Sequence, residues 1–259
     1  MAQYMPARLK GRIHQFRSVD RVLMRLYGKL AGGAVVSIKD GPLCGMKLAA
    51  SRHTSHAHIN GTYERPILEA IERAVRPGAV CYDLGASIGY MTLLMARKAR
   101  HVYAFEPSPV ASAEMRCHVS VNALQNVTLV PDPVSGEVKQ VRFCVNDAAY
   151  GSSINDAETR WPVRHLTTTT LDLFAASHQP PDFIKIDVEG EEGAVLEGAR
   201  KILSQYRPSI CCEIHNLEAA RAVWSILDEY GYEIRTIDDL PATLPDNIVA
   251  GDFHILARK

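Results

Sequence analysis

Two groups of residues in this 259-residue chain have types and spacings that can do chemistry. The first lies in VCYDLGASIGYMTLLMA, residues 80–96, where Asp83 is followed by Gly85, Ala86, Ser87, Ile88 and Gly89. Small residues let a backbone approach a ligand closely, and a helix beginning just after them offers unpaired amide donors. A dinucleotide-binding turn would read Gly-x-Gly-x-x-Gly. Here an acid stands where a pyrophosphate would be repelled, and such an acid suits a ligand with positive charge and hydroxyls. Glu106 ends the next apolar run, 23 positions after Asp83. A carboxylate at that place can accept both hydroxyls of a ribose.

The second group is FIKIDVEGEE, residues 183–192, with Asp187, Glu189, Glu191 and Glu192, joined by Glu213 and His215 of SICCEIHN. Like charges placed together repel, and burying them unpaired costs more. An apolar run that ends in four acids therefore turns them to water or to something that uses them.

The elements that must position these groups are legible from periodicity. Helices are predicted over 64–76, 90–97, 108–122, 191–204 and 218–230, and strands over 79–84, 101–105, 127–130, 183–186, 209–214, 232–237 and 254–257. Pro109 suits the first turn of its helix. Residues 138–145 read as an inserted hairpin arm, followed by an irregular stretch to Arg164. Strands alternating with helices imply parallel βαβ units in an open α/β sheet covered on both faces. The last two strands have no helix between them, so the final one is expected to insert antiparallel. Ligands on such sheets sit beyond the carboxyl ends of the strands, where strand order reverses. Asp83, Glu106 and Asp187 all stand at such ends. Together Asp83, the glycine turn and Glu106 fit S-adenosylmethionine, with Asp83 and the turn near its amino-acid part and Glu106 on its ribose.

Ahead of this domain, residues 1–60 read as an extension and 61–259 as the main domain. Residues 9–30 carry Leu9, Ile13, Phe16, Val19, Leu23, Leu26 and Leu30 at helical spacing among basic residues. This helix is expected to bury its apolar stripe on its own domain or on a second subunit, which makes it a surface for homo-oligomerisation. Residues 34–39 and 46–49 read as a hairpin, and SRHTSHAHINGTYE as a polar loop whose histidines include His58. His58 and Tyr63 are candidates for contact with substrate, and Glu64 for closing over the cofactor.

Composition excludes several classes. Lys+Arg and Asp+Glu balance at 29 each, so no overall field draws the chain to nucleic acid. The six cysteines show no CxxC spacing and read as free thiols in a reducing compartment. No apolar run reaches the ~18 residues of a membrane span, and no signal-peptide core opens the chain. A soluble, cytoplasmic protein is the expectation. A nicotinamide-dependent oxidoreductase on the same architecture is the rival enzyme, opposed by the acid before the glycine turn. A non-catalytic module that binds S-adenosylmethionine is the rival outside enzymes.

The chain resembles class I methyltransferases, and more narrowly the FkbM family of S-adenosylmethionine-dependent methyltransferases. The resemblance runs from about Val35 to Asn216 through GPLCGMKL, GTYE, DLGASIGYMTLLMA, VYAFEPSP, TTLDLF, DFIKIDVEGEEGAVLEGARKIL and RPSICCEIHN. Family members generally carry Asn where this chain has Ser87. The resemblance implies a seven-stranded Rossmann-like sheet of order 3-2-1-4-5-7-6 with the last strand antiparallel. It also implies methyl transfer to an oxygen, often a hydroxyl of a sugar, glycolipid or other small molecule.

Given that reaction, an alcohol must lose a proton, and a base within hydrogen-bond reach is the natural device. Asp187, Glu189, Glu213 and His215 are the candidates. Asp187 is expected to face the methyl donor and orient the acceptor, and His215 to act as base because its reference pKa lies near neutrality. Glu213 shares a strand face with His215 and is expected to orient it. Glu191 and Glu192 are assigned to the first turn of the next helix, complementing its dipole and touching no substrate. Pro107, in the EPSP turn, is placed beside the adenine. Asp187 and Glu213 could hold Mg²⁺, but His215 is a poor ligand for so hard an ion, so no metal is expected.

Overall fold

Residues 80–84, VCYDL, are buried at every position, as are residues 183–186, FIKI. Burial on both faces is what the central strands of a helix-covered parallel sheet require. The computed structural model describes residues 34–145, 153–154, 161–246 and 253–259. The basic helix expected over 9–30 and most of the stretch 150–156 lie outside the described residues.

The chain divides into two compact units at Tyr63/Glu64. The first contains strands β1 (Val35–Ser37) and β2 (Lys47–Ala49), paired antiparallel, and helix α1 (His56–Asn60). The polar loop expected over 51–64 is thus partly helical. The Ser55 side chain accepts from the His58 amide and the His58 ring closes a reciprocal capping box, while Gly61 ends the helix at φ 74. A three-residue spacing of Ser and His carried this start signal.

The second unit holds α2 (Arg65–Ala74), β3 (Val80–Leu84), α3 (Tyr90–Ala96), β4 (His101–Phe105), α4 (Pro109–Val121) and β5 (Val127–Val130). There follow β6 (Gln140–Cys144), β7 (Ser153–Ile154), β8 (Val163–Thr167) and α5 (Leu171–Ala175). The unit closes with β9 (Phe183–Ile186), α6 (Glu192–Glu197), α7 (Arg200–Gln205), β10 (Ser209–Glu213), α8 (Leu217–Glu229), β11 (Glu233–Thr236) and β12 (His254–Arg258). Seven strands form one sheet in the order β11-β12-β10-β9-β3-β4-β5. β5, β4, β3, β9 and β10 are parallel, and β12 inserts antiparallel between β10 and β11. This is the expected order 3-2-1-4-5-7-6 of a class I methyltransferase sheet. The order reverses between β3 and β9, so the C-terminal ends of those strands flank the crevice.

Two expectations are corrected. The stretch expected to be irregular up to Arg164 is not so throughout: β7 and the start of β8 fall in it, and both pair with β6 in a separate antiparallel sheet. The single helix expected over 191–204 is two, broken at Gly198. A Cβ on Gly198 would stand 2.5 Å from the Ser135 carbonyl oxygen, so that backbone packs where a helical side chain would be. The Asp172 carboxylate then caps the restart, accepting from the amides of Lys201 and Ile202, each at 2.9 Å.

Candidate active site

β3 runs into the glycine turn. Gly85 has φ +70, Ser87 φ +50 and Gly89 φ +84, and Gly85 and Ala86 both donate their amides to the Phe105 carbonyl at 3.1 and 3.0 Å. Gly85 is required by contact as well as by conformation: a Cβ there would lie 1.7 Å from the Asp187 carbonyl oxygen. Ser87 occupies a left-handed position that asparagine adopts more readily than serine. That is a backbone reason for Asn at this place in the resembling family.

The turn presents its acids unequally. Glu106 lines a cleft of about 450 Å³, open to solvent, together with Gly85, Pro107, Asp132 and Asp187. Ser87 and Ser108 donate their amides to Glu106 Oε2 and Oε1 at 2.8 and 2.7 Å. The turn amide at Ser87 is therefore spent on fixing Glu106. Each Glu106 oxygen keeps a second lone pair, which is the acceptor pair that two vicinal hydroxyls need. Burial pushes Glu106 up to about 7, against the two backbone hydrogen bonds that favour its charged form.

Asp83 does not line the cleft. It is fully buried behind the turn, with Thr92 Oγ1 donating to its Oδ2 at 2.5 Å. Its expected place beside the ligand's amino-acid part is corrected on that ground: the carboxylate is committed inward. Lys185 reaches it from β9. The Lys185 ammonium donates to Asp187 Oδ2 at 3.0 Å and to the Gly85 carbonyl at 3.1 Å, and stands 3.7 Å from Asp83 Oδ1. Burial disfavours this ammonium, but Asp187 and Asp83, with Glu64 behind them, hold it above the ordinary lysine range. Glu64 caps α2 with a left-handed backbone, φ 44. Its charge is felt by Lys185.

At the end of β10 a histidine sits among carboxylates. His215 Nδ1 lies 2.7 Å from Glu192 Oε1, and its Nε2 lies 3.5 Å from Glu213 and 3.6 Å from both Asp187 and Glu189. Glu192 Oε1 also accepts the Gly190 amide at 2.9 Å. Glu192 lies in the first turn of α6, as expected, and is fully buried there. It orients the imidazole, a part expected of Glu213. Glu213 instead pairs with His254, its cross-strand neighbour, at 3.1 Å. Burial works against a charged His215, but the Glu192 hydrogen bond and the charges of Glu192, Asp187 and Glu189 outweigh it and push the ring up to about 9. A ring held at about 9 favours the imidazolium at neutral pH, whereas a resting base must be neutral. Burial, opposed by His215, raises Glu189.

One atom from each of Asp187, Glu213 and His215 lies within 4.8 Å of the other two, a spacing that could take a metal ion. The imidazolium is already the cation at the centre of that group. Of the other expected site residues, His58 is buried and stacks on Tyr63 at 4.0 Å within the first unit.

Several contributors were not expected. Glu191 lines the cleft and accepts from Ser135 Oγ at 3.0 Å. Asp132 follows β5 in VPDP and, after Asp83 within the end of β3 and Glu106 just beyond β4, is the third acid at successive strand ends, a repetition that could have singled it out. Phe143 and Ile154, from the separate three-stranded sheet, form an apolar part of the wall, and no local motif announces them. Lys185, a lone cation in an apolar strand two residues before Asp187, was readable as sharing its face.

Among the described residues, no helix is long and apolar enough to cross a membrane. Over 92 residues the chain is 32% identical to MJ1452, an uncharacterized protein of Methanocaldococcus jannaschii; the match spans 35% of this chain and 36% of that relative. Among solved structures it is similar to the methyltransferase FkbM from Methylobacillus flagellatus KT (18% identity, TM-score 0.46, 78% of this chain and 53% of that one). It is also similar to SMU.1697c from Streptococcus mutans, solved in complex with SAH (13% identity, TM-score 0.48, 75% and 98%). A third is the precorrin-6y C5,15-methyltransferase from Geobacter metallireducens GS-15 (13% identity, TM-score 0.45, 76% and 89%). All three structural likenesses are low, and the family is decided by sequence: residues 83–234, more than half the chain, match the model of the methyltransferase FkbM domain. That span begins at the acid before the glycine turn and runs past the His215 cluster, and it makes the chain a member of the methyltransferase FkbM domain family.

Proposed function

We propose that the protein methylates a hydroxyl oxygen of a small molecule, sugar or glycolipid-type acceptor. The observation that carries this is the double position of Asp187. It lines the donor cleft, and its Oδ1 faces His215 Nε2 in the carboxylate cluster. One side chain thus adjoins both the place for the methyl donor and the groups that can handle a hydroxyl proton. The balanced charge of the chain supports a small acceptor over a nucleic acid.

The residues fit the donor. Glu106, with a free lone pair on each oxygen, would hold the ribose hydroxyls, Pro107 and Gly85 would flank the nucleoside, and Asp132 would accept from an amino group of the base. S-adenosylmethionine held there supplies a methyl carbon whose sulfonium sulfur leaves with the electron pair. As the carbon–oxygen bond forms and the carbon–sulfur bond breaks, the main task of the protein is alignment. The hydroxyl proton passes to Glu189, whose raised pKa makes it a stronger base than an ordinary carboxylate. His215, already protonated, stands at ion-pair distance from Asp187 and Glu213 and keeps the cluster from repelling itself.

Incubation of extracts with isotopically labelled S-adenosylmethionine tests this. A product bearing one labelled methyl as an ether supports it. A labelled N-methyl or S-methyl product would sink the oxygen assignment, and donor binding with no labelled product would leave a non-catalytic binding module.

A further inference from the structure

Lys185 is the cation the methyl-transfer chemistry has not used. Its side chain is 8% exposed, and it comes from the middle of β9, an otherwise apolar strand. An ammonium in such a place is costly, and a well-packed apolar residue there would often be neutral or stabilising. Three acceptors meet it: the Asp187 carboxylate, the Gly85 carbonyl and, farther off, Asp83. Asp83 Oδ1 accepts no hydrogen bond among the described residues and has Lys185 as its neighbouring cation. Gly85 and Asp187 both line the donor cleft. They are also in direct backbone contact, since no Cβ fits between Gly85 and the Asp187 carbonyl, and the Asp187 amide donates to the Leu84 carbonyl at 3.1 Å. Lys185 therefore ties two lips of the cleft from below, one by its carbonyl and one by its side chain.

We propose that Lys185 is a positioning residue for the methyl-donor pocket: its buried ammonium holds the Gly85 carbonyl and the Asp187 carboxylate in fixed relation, so that donor binding and the His215 cluster are mechanically joined through Asp187. The consequence is a coupling. Filling the cleft must be felt at the Lys185 ammonium, although the side chain is almost wholly buried. The inference rests on the family's methyl donor alone and stands or falls independently of the acceptor or the atom methylated.

The first test is the charge-matched pair Asp83→Asn with Lys185→Met, which removes the ammonium and the buried acid together. A merely structural lysine predicts that this variant, once folded, binds S-adenosylhomocysteine as the native protein does. The proposed role predicts an affinity roughly 10-fold weaker by calorimetry, because the lips of the cleft are no longer held, at a melting temperature close to native. Native affinity in the folded variant overturns the proposal. Should that variant not fold, the native protein decides. With ¹⁵N-labelled lysine, the sheltered Lys185 Nζ signal is expected to shift on saturation with S-adenosylhomocysteine. A signal that does not move at saturation overturns the proposal as well.

Discussion

Glu192 Oε1 lies 2.7 Å from His215 Nδ1, and the carboxylate that makes this bond has no exposure to solvent. A buried acid fixing one ring nitrogen leaves the other, Nε2, aimed at Asp187, Glu189 and Glu213. The same bond is the largest influence raising the ring, after burial, which opposes it.

Glu192→Gln should therefore lower the His215 pKa from about 9 toward the ordinary 6.5, read from the imidazole signals in an NMR titration. A loss of about 1–3 kcal/mol is expected from weakening a buried, charge-assisted hydrogen bond. The stabilisation from His215 is present in full below about 6.5 and is lost as pH rises through about 9. Native protein and His215→Gln should thus differ most in melting temperature at mildly acidic pH and converge above pH 9. An unchanged His215 titration in Glu192→Gln would show that the other three acids suffice.

Glu106 makes donor affinity depend on pH in the opposite sense. Burial lifts it from 4.5 to about 7, so the free protein favours the protonated acid. Its contribution to stability is present below 4.5 and is lost as pH rises through about 7. Ribose hydroxyls are donors and favour the carboxylate. Affinity for S-adenosylhomocysteine should rise as pH passes through about 7, and binding below that pH should release a proton, seen by calorimetry in buffers of different ionisation enthalpy. Glu106→Gln should flatten the profile and weaken binding by roughly 10- to 100-fold, the worth of hydrogen bonds to a charged group. A native profile without slope would place the ribose elsewhere.

The succession of strands and helices was legible because its causes are local: apolar runs of four to six residues, a proline at a first helical turn and the missing helix before the last strand, which inserts antiparallel. The order of the strands across the sheet is not written in any local run and came from the family resemblance. The site was legible where one residue type at one strand end decides the matter, as at Glu106 and Asp187. It was not legible where a choice among acids depends on depth. Asp83 and Glu106 look alike in sequence, yet Thr92 and Lys185 draw the first inward while Ser87 and Ser108 aim the second at the cleft. Glu191 and Glu192 are adjacent, yet one lines the cleft and the other is buried beneath His215. The raised pKa of His215 was not legible, because the four carboxylates around it meet the ring only in the fold, three from residues 187–192 and one from β10.

Gly85→Ala separates strain from collision. Gly85 at φ +70 and Gly78 at φ +78 have similar backbones, but a Cβ at Gly78 meets nothing within 4 Å while one at Gly85 meets the Asp187 carbonyl at 1.7 Å. Gly78→Ala should cost about 1 kcal/mol, the price of a left-handed alanine. Gly85→Ala must also part β3 from β9, and should fail to give folded, donor-binding protein. Comparable melting temperatures for the two variants would mean that the strand ends can separate without loss.

Removal of divalent metal should leave turnover intact. Asp187, Glu213 and His215 are close enough to share an ion, but a protonated His215 competes for the same carboxylates and cannot also be a ligand through Nε2. Treatment with EDTA is expected to change neither donor affinity nor methyl transfer. Loss of transfer on chelation, restored by a divalent cation, would make the cluster a metal centre and His215 one of its ligands.

The proton acceptor is open to a sharper trial. Glu189 follows β9 at φ +56, is 39% exposed and reaches within 3.6 Å of His215. It does not line the donor cleft, so its loss should leave donor binding near native. Glu189→Gln keeps the shape and removes the base, and kcat should fall by about 10²- to 10⁴-fold, the usual worth of general-base catalysis. His215→Ala should also lower kcat, but by removing the cation that holds the acids together, so a loss in Glu189→Gln should not be rescued by raising pH. If Glu189→Gln turns over at the native rate and His215→Ala alone is dead, the proton goes to the imidazole after all. Donor binding must then have drawn its pKa down from about 9, which the approach of a sulfonium charge would favour.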